Sequence, residues 1–347
     1  MRLIRFGCVG AMACGVAVVS AFVLPGAAAR AAAGAADFAG GFEWVDRAGE
    51  GTADLMYDGK PVLRYMYAFD RSTPQRTTET FKVFHHLFGP GTEDLITNGA
   101  GAGLYPHHRG LFVGWRRTRF EGGEIDSWHC IKGAHQRHVR FVEKGGDAHS
   151  GFMTAEIAWN DGKDQPVIDE VRTVRVTNVG KPGGLPAWQI DWSTRLESRR
   201  GKIVLEGDRQ HAGFQFRAAQ SVAESKSATF IRPKGFPQQP QAFEVDDKKD
   251  PDKFTNLGWE AMSYSINGKP YTVTYFEDPS LPKPSRYSER PYGRFGAYFK
   301  TTLTPETPLN MHYRLIVTAG APPDRDAIQA EYDRFAAEVS RQPLASR

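Results

Sequence analysis

Histidine is unevenly spread along this chain. His85, His86, His107, His108, His129, His135 and His138 fall between residues 85 and 138, and His211 stands apart. Gly99, Gly101 and Gly103 lead into Tyr105-Pro106-His107-His108-Arg109-Gly110. Glycines flanking a His-His-Arg triplet suggest a loop or strand end where the backbone bends to present side chains. If the triplet is extended, His107 and Arg109 share a face and His108 points the other way. Both histidines then serve one pocket only where the strand has ended or bulged. Imidazole suits general acid–base work near neutral pH, and a neighbouring guanidinium can hold a carboxylate or a developing oxyanion.

Two further segments carry similar chemistry. In 208–217, Ala212, Phe214 and Phe216 alternate with His211, Gly213, Gln215 and Arg217. A strand there buries its phenylalanines and aligns His211, Gln215 and Arg217 on the opposite face, as donors and acceptors for sugar hydroxyls or a carboxylate. In Asp126-Ser127-Trp128-His129-Cys130 an aromatic adjoins a titratable group. Trp128, Trp115 or Tyr105 could stack on the apolar face of a sugar ring. A single histidine on a strand is more often an ordinary hydrogen-bonded residue, and His135, His138, His149 and His312 are read so; His85 and His86 are open. His107, His108, His129 and His211 are the candidate catalytic residues. Tyr105, Arg109, Asp126, Trp128, Gln215 and Arg217 are the candidate substrate-binding ones. The four histidines could also converge on one divalent metal, although no diagnostic ligand spacing such as His-Glu-x-x-His is present. There is no Gly-x-Ser-x-Gly elbow, phosphate loop or glycine fingerprint opening a helix, and Cys130 is a weak candidate nucleophile.

The elements that must position these residues are strands. Trp188, Ile190, Trp192, Thr194 and Leu196 alternate with polar residues, as do Leu309, Met311, Tyr313, Leu315 and Val317. Asn160-Asp161-Gly162, residues 180–184 and Asn267-Gly268 supply turns, the last with the residues of a tight hairpin. One amphipathic helix is predicted over 324–340, capped by Asp324, with Ile328, Tyr332, Phe335 and Val339 on one face. Residues 233–251 and 278–291, rich in Pro, read as irregular loops. With no βαβ rhythm and no internal repeat, the chain is predicted to be all-β. The expected architecture is one large antiparallel β-sandwich over residues 37–347 with a helix at its C-terminus.

Residues 1–36 read as a signal peptide, with Arg2 and Arg5 before an apolar stretch from Val9 to Leu24 and small residues around Ala27–Ala29. Export places the mature protein in the periplasm or outside the cell. Losing Arg2, Arg5 and Arg30 with the leader brings the 44 Lys plus Arg to within one of the 40 Asp plus Glu. A nearly neutral mature protein argues against nucleic acid as a partner. No later segment is apolar enough to span a membrane as a helix. Cys130 is the only cysteine beyond the leader, so no internal disulfide is available and stability must come from the core.

The run from Lys82-Val83-Phe84-His85-His86 through Leu104-Tyr105-Pro106-His107-His108-Arg109-Gly110 to Trp128-His129, with Gly207-Asp208 and His211–Arg217, resembles one family. That family is the PmoA-like domain of unknown function in exported proteins of environmental bacteria, often labelled "methane oxygenase". The resemblance covers most of the mature chain. It implies company with polysaccharide-utilisation enzymes and secreted sugar-acting proteins. By analogy, a sandwich like that of the galactose-mutarotase superfamily is expected, where a histidine and a carboxylate do acid–base work on a sugar. His107, His129 or His211 would be the acid, and Asp126, Asp208 and Glu206 are equal candidates for its carboxylate partner. The leading expectation is an exported carbohydrate-acting hydrolase, lyase or isomerase using histidine acid–base chemistry, with or without a divalent metal. Its substrate would be a small molecule or an oligosaccharide. The alternative is a non-catalytic glycan-binding protein of the same fold; an oxygenase, the activity in the family label, ranks last.

Overall fold

The period-2 alternation becomes twenty strands in the computed structural model, which describes residues 40–341 other than 102 and 247. The predicted leader lies outside the described residues. Three antiparallel sheets result. The first runs, in spatial order, Phe42–Arg47, Thr52–Tyr57, Lys60–Met66, Phe84–Leu87, Leu111–Trp115, Ala212–Arg217, Arg294–Tyr298 and Arg286–Arg290. The second runs Thr229–Ile231, Trp259–Ile266, Lys269–Glu277, Leu309–Ala319, Trp188–Ser198, Pro166–Asn178, Ser150–Asn160 and His135–Gly146. A four-stranded sheet of Thr301–Leu303, Ile203–Glu206, Arg117–Phe120 and Gly123–Ile125 completes the set.

The two large sheets share one core, which makes the protein an all-β antiparallel sandwich. Leu63, Tyr65, Val113 and Phe214 of the first pack with Met153, Val174, Trp192 and Tyr313 of the second. The Phe214 ring lies 4.7 Å from both Trp192 and Tyr313. The two strands with the clearest alternation pair directly, with Trp192 opposite Tyr313, so their apolar faces coincide. Asn267 and Gly268 join Trp259–Ile266 to Lys269–Glu277 with φ of 52° and 75°. A two-residue turn with both φ positive has the twist that matches a hairpin.

The C-terminal helix spans Arg325–Ser340, and the Asp324 side chain accepts from the Asp326 amide at 3.0 Å. Ile328, Phe335 and Val339 seal it onto Trp259, Ala261 and Phe276, on the outer face of the second sheet. Two short helices, Pro74–Thr80 and Gln220–Ser225, were not predicted. Seven and six residues are too few to display a helical period. The strand Arg286–Arg290 lies inside a stretch whose composition reads as loop, and it forms the sheet's edge just before Pro291. Residues 233–246 and 248–251 are irregular as expected. They are pinned by Arg232, which pairs with Glu289 and donates to the carbonyls of Pro237, Gln239 and Gln241. No helix among the described residues is long and apolar enough to cross a membrane.

The first sheet is also covered on the face turned away from the second. There Phe84, Phe112 and Trp128 form a separate apolar cluster, with the Lys82 ammonium over the Phe112 and Trp128 rings and the Arg109 guanidinium over Phe84. That second layer is where the histidines gather.

Candidate functional site

The triplet His107-His108-Arg109 is not extended. The His108 amide donates to the Tyr105 carbonyl at 3.0 Å, closing a turn, and the strand begins only at Leu111. Both histidine rings therefore stay on one side, with centroids 4.2 Å apart. Gly110 ends the turn at φ 43°, its amide bonded to the Asn98 carbonyl and its own carbonyl to the Arg217 amide. A Cβ there would run into the His85 carbonyl oxygen. Gly110→Ala is therefore expected to cost at least about 2 kcal/mol, seen as a lowered unfolding midpoint, and to displace His107 with the turn.

His129 and His211 arrive on two copies of one local device. In Asp126-Ser127-Trp128-His129, Asp126 Oδ1 accepts from the amides of Trp128 and His129 at 3.0 and 2.7 Å, and Oδ2 lies 2.7 Å from His129 Nδ1. In Asp208-Arg209-Gln210-His211, Asp208 Oδ1 accepts from the Gln210 amide at 2.9 Å and lies 2.8 Å from His211 Nδ1. Each aspartate thus shapes its turn and claims Nδ1 of the histidine three residues on. Burial pushes both carboxyls up, but the hydrogen bonds and charge of their own histidines, together with the turn amides, leave both below the usual range. With Nδ1 committed, Nε2 is the nitrogen each ring can offer a third party.

His107, His129 and His211 present one ring nitrogen apiece, all within 4.8 Å of one another. The ring centroids are 4.7 Å apart for His107–His129, 4.9 Å for His129–His211 and 6.4 Å for His107–His211. Nε2 of His107 is buried with no hydrogen-bond partner among the described residues. Burial, reinforced by His129, Lys82 and His211, pushes its pKa down to about 3, so the ring is neutral at ordinary pH. Neutral imidazole is the form that binds a metal. Behind the rings, the buried Lys82 ammonium donates to the carbonyls of His107 and Trp128 and so ties the two ligand-bearing turns together.

The remaining predicted site residues fare differently. His108 contributes no nitrogen to this group. Its buried ring lies parallel to Tyr292 at 6.0 Å and lines a neighbouring cleft, both nitrogens without a partner among the described residues. Asp126 serves His129, Asp208 serves His211, and Glu206 instead pairs with Arg119 and Lys300. Tyr105 is exposed, held at φ 56° at the mouth of the same cleft. The expected polar face of Ala212–Arg217 is not open to a ligand, because the outer layer roofs it. Gln215 is buried and accepts from Arg294 at 2.6 Å, and buried Arg217 donates to the carbonyls of Tyr292 and Leu104. His211 precedes that strand rather than sharing its face. Arg109 is a clamp: it donates to the carbonyls of Thr78, Glu79 and Pro106 and covers the Phe81 ring at 4.2 Å. Trp128 and Trp115 are fully buried and cannot offer a face to a sugar. Burial pushes the Cys130 thiol up to about 11, so it is not a thiolate.

Residues 52–333 match the profile of DUF6807, a family of unknown function. The chain belongs to this family. The DUF6807 region contains the three histidines and both aspartates. No curated protein matches the chain. Among solved structures it is similar to an α-galactosidase of family GH36 from Geobacillus stearothermophilus in complex with raffinose (10% identity, TM-score 0.36), covering 80% of this chain and 40% of that one. It is also similar to an α-galactosidase from Lactobacillus brevis (10% identity, TM-score 0.34), covering 81% and 38%. This DUF6807 chain thus spans two-fifths or less of those enzymes' length.

Proposed function

We propose that this protein is an exported, metal-dependent enzyme acting on a polyhydroxylated substrate, with His107, His129 and His211 as the metal ligands. The observation that carries the reading is the convergence of one ring nitrogen from each of three histidines within 4.8 Å, two of these histidines having Nδ1 held by an aspartate. A carboxylate behind a ligating histidine sets its tautomer and raises its basicity. Three imidazoles suit zinc, copper, iron or nickel and leave coordination positions for water or substrate, the mark of a catalytic centre rather than a structural one. Metal–nitrogen bonds of about 2.0–2.1 Å set tetrahedral ligand nitrogens roughly 3.3 Å apart, so small ring rotations complete the site. The metal would polarise a substrate oxygen or lower the pKa of a bound water.

The substrate class follows from the cleft shared by His107, His108 and His211. Tyr105 and Tyr292, with ring centroids 4.7 Å apart, stand beside Gln210, Glu244, Asp246 and Lys248. An aromatic pair among many hydrogen-bonding groups is what a sugar's apolar ring face and hydroxyls require. A hydrolase, lyase or isomerase of carbohydrate fits this surface, and kinship with the PmoA-like proteins belongs to the same proposal.

Zinc titration of the purified protein by calorimetry, with elemental analysis of the loaded form, tests the centre. One equivalent is expected to bind, and His107→Ala, His129→Ala and His211→Ala should each weaken it at least about 100-fold while the far-ultraviolet spectrum is kept. Wild-type protein that takes up no transition metal, or three variants that bind as tightly as it does, would overturn the reading. Selective uptake of copper with oxygen-dependent turnover would move it to an oxygenase.

A further inference from the structure

Two clefts open on the histidine centre, and their walls differ in chemistry. The polar one, about 950 Å³, meets the centre at His107 and His211. The other, about 850 Å³, meets it at His107 and His129 and is walled mainly by carbon, from Phe69, Phe81, Pro106 and Ile131. His107 belongs to both. Three charged groups in the second cleft, Arg109, Arg71 and Glu79, are engaged with the protein, and Lys132 is exposed at its edge. Arg109 is spent on backbone carbonyls and Phe81, and Arg71 pairs with Asp164 and covers the Phe69 ring at 4.7 Å.

Three of the nine non-glycine residues with left-handed φ among the described residues, Tyr105, Cys130 and Lys132, lie beside the clefts. Ile131 is 52% exposed, and Cys130, Lys132 and Gly133 around it have φ of 53°, 55° and 81°. Left-handed φ at non-glycine residues is costly and persists where surrounding structure enforces it, commonly at ligand-binding sites. That turn follows directly on His129 and points an aliphatic side chain into the carbon-walled cleft. Two residues before His107, Tyr105 is presented to the polar cleft from another left-handed position. Each flanking display is thus set beside a proposed ligand and in the cleft whose chemistry it matches.

We propose that the substrate has two dissimilar parts, a sugar in the polar cleft and a flat apolar group in the carbon-walled one, joined by an oxygen-bearing link that lies over His107. A glycoside with an aromatic aglycone has this form. Each cleft is large enough to admit one such part, since pockets of roughly 300–1,000 Å³ hold whole drug-sized ligands. The sugar stacks on Tyr105 beside Tyr292, the apolar group packs on Ile131 and Pro106, and the link is left at the point where the metal is held. This proposal rests on the metal reading above.

Calorimetry of the zinc-loaded full chain with matched methyl and phenyl glycosides, α and β, of glucose and galactose tests it. Burying one phenyl ring is expected to tighten binding about 30- to 100-fold over the methyl glycoside of the same sugar. Ile131→Asp should abolish that advantage while leaving zinc uptake in place, and Tyr105→Ala should weaken methyl and phenyl glycosides of one sugar by the same factor. A phenyl group that brings no gain, or a gain that survives Ile131→Asp, overturns the two-part substrate while normal zinc uptake leaves the metal reading standing. Failure of the wild-type chain to take up zinc or any other transition metal sinks the metal reading itself, and the placement of the link with it.

Discussion

Asp126→Asn and Asp208→Asn are each expected to weaken zinc binding about 10- to 100-fold without unfolding the protein. Each aspartate does two jobs, and asparagine separates them. Its Oδ1 can still accept the turn amides that Asp126 receives from Trp128 and His129 and that Asp208 receives from Gln210, so the turns survive. What goes is the negative charge beside Nδ1, which holds the proton there and makes Nε2 a better donor to a metal. Alanine would remove both functions and confuse a lost ligand with an opened turn. The two variants act on one ion, so their effects should not simply add; the double variant reports the coupling. Competition titration with a zinc chelator, with unfolding midpoints measured alongside, gives the answer. Zinc affinity unchanged in both variants would mean that the aspartates only build turns.

The repeated Asp-x-x-His spacing was the sequence signal for these partners, and it is easily passed over. Asp126, Asp208 and Glu206 look equivalent as isolated carboxylates. Only the shared offset of three residues to a histidine separates the first two from the third. The strands, the Asn267-Gly268 hairpin and the helix at Arg325–Ser340 were legible because alternation, turn residues and a cap are local signals. The convergence of His107, His129 and His211 was expected as a possibility and no more, since it depends on which strands become neighbours. Leu111–Trp115 lies beside Ala212–Arg217 across almost a hundred residues of chain, and that pairing delivers His211 to the other two. Gln215 and Arg217 show the limit of the pattern. Alternation correctly separates them from Phe214 and Phe216, but it cannot say that a second layer of loops covers their face. Arg109 misled for a related reason. A guanidinium beside two histidines looks like an anion site until the short helix Pro74–Thr80 fills its reach with carbonyls.

Glu170→Ala is expected to cost about 3–5 kcal/mol, on the order of 10 °C in unfolding midpoint, with zinc affinity unchanged below the transition. Glu170 and Arg172 lie on Pro166–Asn178 with no solvent exposure, on the same buried side as Val174, whereas Val171 between them faces water. Residue type alone would put the valine inside, whereas the alternation anchored by Val174 and Val176 puts it outside. The carboxylate is saturated: it accepts from Arg172 Nε and Nη2 at 2.7 and 3.0 Å, from Trp159 Nε1 at 2.7 Å and from Thr194 Oγ1 at 2.7 Å. The guanidinium in turn lies 4.5 Å from the Trp192 ring. Removing the glutamate leaves a buried cation without a counter-charge and two donors without an acceptor, which is far costlier than losing an exposed pair. Replacing both members, as Glu170→Leu with Arg172→Met, should recover much of the loss because it removes the stranded charge together with its partner. The pair belongs to the sheet behind His85, on the sandwich side, while the histidine centre lies in the outer layer, so stability and metal affinity should separate in these variants. Chemical denaturation of the single and double variants decides the matter. A single-variant loss below about 1 kcal/mol would mean that the buried pair contributes little, and a double variant no better than Glu170→Ala would place the cost in packing rather than in stranded charge.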